Sequence, residues 1–187
     1  MQLALTGAEL GFWDWHLVTD KIDRNERWAN MLGYSQEEVN LNTNQWADYV
    51  HPQDKDKLWR SINDVLEGRS TLHCLDYRMI TKEGDYRWVH VQANVMQRDD
   101  NGKPLSMSGI HCDITDRKLA EENMKLAASV FTSARESIVI TDVSGVILDV
   151  NDTFTTTTGY SREESIGKNP RMLNSGRQSP EFYITMW

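Results

Sequence analysis

Two dipeptides, His73-Cys74 and His111-Cys112, hold the residue types best suited to chemistry in this chain. Imidazole and thiolate are the usual zinc ligands, and four of them brought together would close a tetrahedral site. These are also the only two cysteines, so a disulfide framework is not indicated. Other chemistry finds less support. There is no phosphate-cradling glycine loop, no Ser/His/Asp or Cys/His set at a recognisable signature and no obvious carboxylate pair, so no enzyme is expected. The hydroxyl run Thr153 to Thr158 is sterically odd for a helix but is not itself a reactive group.

The elements that must position these residues follow from period and punctuation. Gly11 to Val18 is aromatic and extended, and Thr19-Asp20-Lys21 turns it into a short strand near Ile22 to Arg24. Asn25 can cap a helix over Glu26 to Leu32 that Gly33 ends, and Ser35 with Glu38 forms a capping box. Trp46 to Val50 reads as one helical turn. Asp54 then caps a helix through Glu67, with Leu58, Ile62 and Val65 or Leu66 on one face. The period changes to two over Leu72 to Thr81, Tyr86 to Arg98 and Leu105 to Ile114, with turns at Glu83-Gly84-Asp85 and Asp99 to Gly102. This order predicts an α+β domain with helices on one side of an antiparallel sheet.

Part of the pattern occurs twice. Asn25 to Val39 aligns without gaps with Asn151 to Ser165, sharing Asn, Gly, Tyr, Ser and two Glu. Those six identities in fifteen positions compare with roughly one expected from average residue usage. The paired glutamates, Glu37-Glu38 and Glu163-Glu164, are read as serving helix starts. At 187 residues, the repeat predicts one full domain followed by the first half of a second. A net charge of −8 argues against nucleic acid and anionic lipid as partners. No apolar run approaches a membrane span and no signal peptide is evident, so a cytoplasmic location is expected, or the cytoplasmic portion of a membrane-associated sensor.

With these words in this order the chain resembles the PAS domain family. The carriers are Asn25 to Val39, His51-Pro52-x-Asp54, Glu83-Gly84-Asp85-Tyr86-Arg87-Trp88-Val89, and Gly109 to Asp116 with its Asp113-Ile114-Thr115 core. The resemblance implies a five-stranded antiparallel sheet with short helices on one face over 9–115, a linker helix over 116–135, and a partial second unit over 136–187. It implies a sensory or interaction module of bacterial signalling proteins, holding small ligands between sheet and helices. Asp113, Ile114 and Thr115 then hand the last strand to an output helix and are the expected signal-transmission residues. Leu119, Leu126 and Ser133 lie seven apart on that helix, with Asn123 and Val130 interleaved, which suggests a homodimer. The wording of the second copy resembles PAS domains placed before diguanylate cyclase or phosphodiesterase domains, with histidine kinases as the alternative.

The same topology bears on cofactors. It separates the strand from Leu72 and the last strand by one intervening strand, so His73 and His111 are expected at opposite ends of the sheet and zinc is not expected. Haem binding in the family uses a histidine on the long helix, and Asp54 to Glu67 has none. His51 is read as ordering the loop with Pro52, and His90 as a sheet residue. Gly167 to Asn174 resembles the flavin-binding segment of the light-sensing subfamily, but Pro170 stands at the adduct cysteine's position, which excludes adduct chemistry. Asn169, Arg171 and Trp187 remain candidate contacts for FAD or FMN in the second copy. For the first domain no cofactor is expected; Trp28, Met31, Leu32, Trp46, Tyr49, Trp59, Tyr77, Met79 and Trp88 are the candidate pocket residues, with Trp15 and Met96 as further ones. Enough aromatic bulk is present for side chains to fill that space. A flavin redox sensor and a ligand-free interaction domain are the alternative readings.

Overall fold

The computed structural model describes residues 10–39 and 46–174, which fall into two compact units divided between Leu119 and Ala120. The first unit holds β1 (Gly11–His16), β2 (Lys21–Arg24), α1 (Glu26–Met31), α2 (Pro52–Leu66), β3 (His73–Ile80), β4 (Tyr86–Arg98) and β5 (Pro104–Asp113). The five strands form one sheet in the order β2-β1-β5-β4-β3, every neighbour antiparallel. The fold is therefore α+β, with the core between one face of the sheet and the helices.

Alternation assigns that face. Leu75, Tyr77, Met79, Val89, Val91, Ala93 and Met107 are buried inward, while Cys74, Asp76, Arg78, Trp88, His90 and Cys112 take the intervening, outward positions. Leu58, Ile62 and Val65 supply the buried face of α2. Glycine appears where backbones crowd: a Cβ on Gly11 would lie 2.9 Å from the Trp28 Cα, so α1 can rest on β1.

One local expectation is corrected. His51, not Asp54, caps α2, accepting from the Gln53 amide at 3.2 Å. Asp54 lies inside the first turn and ties the helix to β3, accepting from the Arg78 backbone amide at 3.0 Å and from its guanidinium at 2.8 and 2.9 Å. At the other end of α2, the Arg98 guanidinium donates to the carbonyls of Val65 and Leu66, adding to the Gly68 amide that also bonds to Val65.

Helix α3 (Thr115–Ser133) follows β5 and crosses the division between the units; none of its residues is buried. The second unit continues with β6 (Val139–Thr141), β7 (Ile147–Val150), α4 (Asp152–Thr158), α5 (Arg162–Ser165) and a 3-10 turn at Pro170–Leu173. Ile147, Val150 and Phe154 form its small core, with Val139 and Met172 against them. The repeat is structural as well as sequential. Asn25 accepts from the amides of Phe12 and Trp28 and donates to the Leu10 carbonyl. Asn151 accepts from those of Ile138 and Phe154 and donates to the Glu136 carbonyl.

Candidate functional site

The inner face of the sheet carries a partly enclosed space lined by Trp13, Trp15, Ile22, Arg24, Trp28, Trp46, Ile62, His73, Val91 and His111. Aromatic side chains fill most of it, and the cavity left is about 20 Å³, room for about one water molecule. Trp13 reaches this position because β5 has Gly109 beneath it: a Cβ there would stand 2.8 Å from the Trp13 ring and 2.5 Å from the Ala93 Cβ.

A polar network runs through the apolar shell. The Trp28 indole donates to His111 Nδ1 at 2.9 Å, and His111 Nε2 lies 2.6 Å from the Tyr77 hydroxyl oxygen. An indole N–H can only donate, so Nδ1 accepts and the neutral ring carries its hydrogen on Nε2, donating to Tyr77. Protonation would turn Nδ1 into a second donor against Trp28. Burial acts in the same direction and holds His111 down at about 3. His73, next to Ser61 at 2.8 Å, is held at about 4 by burial alone. Burial likewise pushes the Tyr77 phenol up.

The cavity wall carries a buried cation and a buried indole donor. Arg24 is 7% exposed, its guanidinium stacked 4.6 Å over the Trp28 ring and donating to the Val39 carbonyl at 2.8 Å. Desolvation lowers it to about 10, so it remains a cation at neutral pH. Trp13, 8% exposed, has a buried indole N–H without an acceptor among the described residues. Such a wall favours a guest that brings acceptor oxygens, and a carboxylate most of all.

Of the residues expected here, Trp28 and Trp46 line the cavity, as does Trp15. Tyr77 bonds to its wall through His111, Leu32 and Met79 are buried in the same core, and Met31, Tyr49 and Trp59 pack at its margin. Trp88 is corrected: it lies on the outer face, 5.4 Å from the Arg78 guanidinium and 5.3 Å from the Lys118 ammonium, because Val89 and Val91 take the inward positions of β4. Met96 is 66% exposed. Trp13, Arg24, His73 and His111 were not anticipated as pocket residues. The signal for Arg24 was its spacing from Ile22, two residues apart on one short strand.

The separation expected between His73 and His111 is also corrected. His73 pairs with Ala93 and Ala93 with Gly109, so His111 is displaced from His73 by only two residues along the strands. Both imidazoles line one cavity. What parts the dipeptides is alternation, which turns the two imidazoles inward and Cys74 and Cys112 to the other side.

At the domain's exit, Asp113 accepts from the Thr115 amide and hydroxyl at 2.9 and 2.6 Å and from Arg87 at 2.8 Å. Thr115 Oγ1 accepts from the Trp88 amide, and the Ile114 amide donates to the Trp88 carbonyl. The start of α3 is thereby clamped to β4. In the second unit both ends of the Asn169 amide are engaged: it accepts from the Arg171 amide and donates to the Gly145 carbonyl. Arg171 is exposed, and Trp187 lies outside the described residues. An isoalloxazine ring is far larger than the cavity of the first unit, so a flavin does not fit there without repacking the tryptophans. Among the described residues no helix is long and apolar enough to cross a membrane.

Comparison with known proteins follows the same division. Residues 21–111 and 127–187 each match a family model described as PAS fold. The methyl sulfide methyltransferase-associated sensor of Methanosarcina acetivorans is 31% identical over 91 residues, 49% of this chain and 9% of that protein. Biofilm dispersion protein BdlA of Pseudomonas aeruginosa is 26% identical over 171 residues, 88% of this chain and 39% of that one. The chain thus spans only 9% to 39% of the length of these two relatives. Among solved structures, a sensory box histidine kinase/response regulator from Burkholderia thailandensis E264 superimposes with a TM-score of 0.61 at 29% identity, over 68% of this chain and 94% of that one. With the sheet order, the repeated asparagine clamp and a family match in each half, the chain belongs to the PAS fold family.

Proposed function

We propose that the chain is a non-catalytic sensory module of a signal-transduction protein, and that the Trp13, Arg24 and His111 cavity of its first domain, 9–115, takes a small carboxylate by repacking of its tryptophans, since unexpanded it has room for about one water molecule. The observation that carries this reading is the buried Trp13 indole N–H, which has no acceptor among the described residues and faces a small cavity beside the Arg24 cation. Occupancy is read out through Asp113, Ile114 and Thr115, whose bonds to β4 set the start of the helix over 116–135, which leads to the second unit at 136–187. The helix pairs with that of a second copy, and Leu119, Leu126 and Val130, exposed by 51%, 63% and 59%, supply the contact. The regulated output is a diguanylate cyclase, phosphodiesterase or histidine kinase domain in the same polypeptide. The sensor and kinase relatives support this class of role.

Titration calorimetry with formate and acetate, run beside tryptophan fluorescence, tests the ligand. Saturable binding that weakens at least tenfold in Trp13→Phe is expected, since that change deletes the donor and keeps most of the ring. No binding by either anion leaves the ligand-free interaction domain as the reading. A visible absorption spectrum with flavin bands moves the sensing role to the second unit. Sedimentation at high concentration tests the helix pairing, and a monomer overturns it.

A further inference from the structure

The outer face of the sheet carries a second constellation that the cavity does not use. Asp76 on β3 pairs across the ladder with His90 on β4, and Cys74 lies two residues from Asp76 on the same face. His90 Nδ1 is 2.6 Å from Asp76 Oδ1, and His90 Nε2 is 3.9 Å from Cys74 Sγ. The carboxylate fixes the ring with its hydrogen on Nδ1, which turns the lone pair of Nε2 toward the thiol. Asp76 remains an anion despite burial that opposes it, because Lys118 donates to it at 2.8 Å alongside His90. Cys74 is exposed and is not in a disulfide.

We propose that Cys74 is a reactive thiol, activated by His90 and oriented through Asp76, and that it is a site of oxidation by peroxides. The thiol proton moves to His90 Nε2, and the thiolate sulfur attacks the hydroxyl oxygen of a hydroperoxide. The S–O bond forms as the O–O bond breaks, sulfur gives up two electrons, and the departing alkoxide or hydroxide takes the proton from His90. The products are the Cys74 sulfenic acid and an alcohol or water. Cys112 does not resolve it within the chain. It sits on β5 with β4 between, about two strand spacings or ~10 Å away, beyond the reach of a disulfide. The same carboxylate that orients His90 also holds Lys118 and lies 3.5 Å from Arg117, so this chemistry sits against the first turn of α3.

The test is the rate of sulfenic acid formation with hydrogen peroxide, trapped by dimedone and read at each cysteine by mass spectrometry. Free cysteine is the reference, because Cys112 stands directly opposite His90 in the ladder. In the wild-type chain Cys74 is expected to react faster than free cysteine at the same pH, and a rate no faster overturns the proposal without any variant. His90→Asn is expected to slow Cys74 about tenfold, and Asp76→Asn to slow it less. An unchanged Cys74 rate in His90→Asn, with the fold intact by circular dichroism, means that exposure alone sets its reactivity and overturns the assignment.

Discussion

Trp28 Nε1 donates to His111 Nδ1 across 2.9 Å, joining α1 to β5 in the centre of the core. Neither group has access to water in exchange, since Trp28 and His111 are 0% and 1% exposed. Trp28→Phe removes the donor and leaves Nδ1 as a buried acceptor. A loss of about 1–3 kcal/mol is expected from the urea midpoint at constant slope. A loss below about 0.5 kcal/mol would show that water enters and replaces the indole.

The same network sets a pH dependence. His111 and His73 titrate at about 3 and about 4 in the fold, against 6.5 in the unfolded chain. Between those values the unfolded state binds more protons, so stability rises with pH. It is complete above pH 6.5 and is lost as pH falls toward 4. Asp54, Asp76 and Asp113 are also lowered, from 3.8, and their contributions fall away only in more acidic solution. Urea midpoints between pH 7 and 4.5 are therefore expected to decline, and a flat profile there would contradict neutral buried imidazoles.

Gly109 marks the tightest crossing in the sheet. An added methyl would stand 2.5 Å from the Ala93 Cβ, 2.6 Å from the Gln92 carbonyl oxygen and 2.8 Å from Trp13. Two of these three neighbours cannot swing aside. Gly109→Ala is expected to cost about 1–3 kcal/mol or more through overpacking, with a red-shifted tryptophan emission as Trp13 is pushed from its site. Wild-type stability in this variant would mean that β1 and β5 can part locally.

Asn25 and Asn151 each pin a strand to the start of the following helix through three side-chain bonds. Replacing either with alanine removes an N-cap worth about 1 kcal/mol together with the strand contact. Hydrogen exchange locates the damage. Asn25→Ala is expected to expose the Phe12 and Trp28 amides, and Asn151→Ala those of Ile138 and Phe154. Exchange that rises only at the helix amide would reduce the residue to a simple cap.

Much of this was legible in residue order. Strand β4 spans the predicted Tyr86 to Arg98, because alternation and two glycine turns bound it. Helix α2 follows from Leu58, Ile62 and Val65 on one face. The side of the sheet that faces inward did not follow, since Tyr77 and Trp88 are equally apolar and only the packed helices choose between them. Register was hidden for a related reason. How far β3 and β5 slide along the long β4 depends on turn lengths and on the irregularity at Val95 and Gln97, and that slide decides whether His73 and His111 meet. Arg24 and Trp13 were missed as pocket residues because a charged residue beside a tight turn reads as solvated, and a close approach over Gly109 leaves no trace in periodicity.

Arg98 does more than close α2. Strand β3 begins at His73, opposite Ala93, so from Asn94 onward β4 has β5 on one side and no paired strand on the other among the described residues. An open row of amides and carbonyls is a template for a foreign strand, and such templates nucleate aggregates. The Arg98 side chain crosses that gap to the carbonyls of Val65 and Leu66, placing a charge and a helix end where an intruder would dock. Arg98→Val is expected to bring the onset of turbidity on heating below the wild-type temperature, out of proportion to any change in the unfolding midpoint. A residue that finishes a helix is thus also a guard against self-association of the sheet.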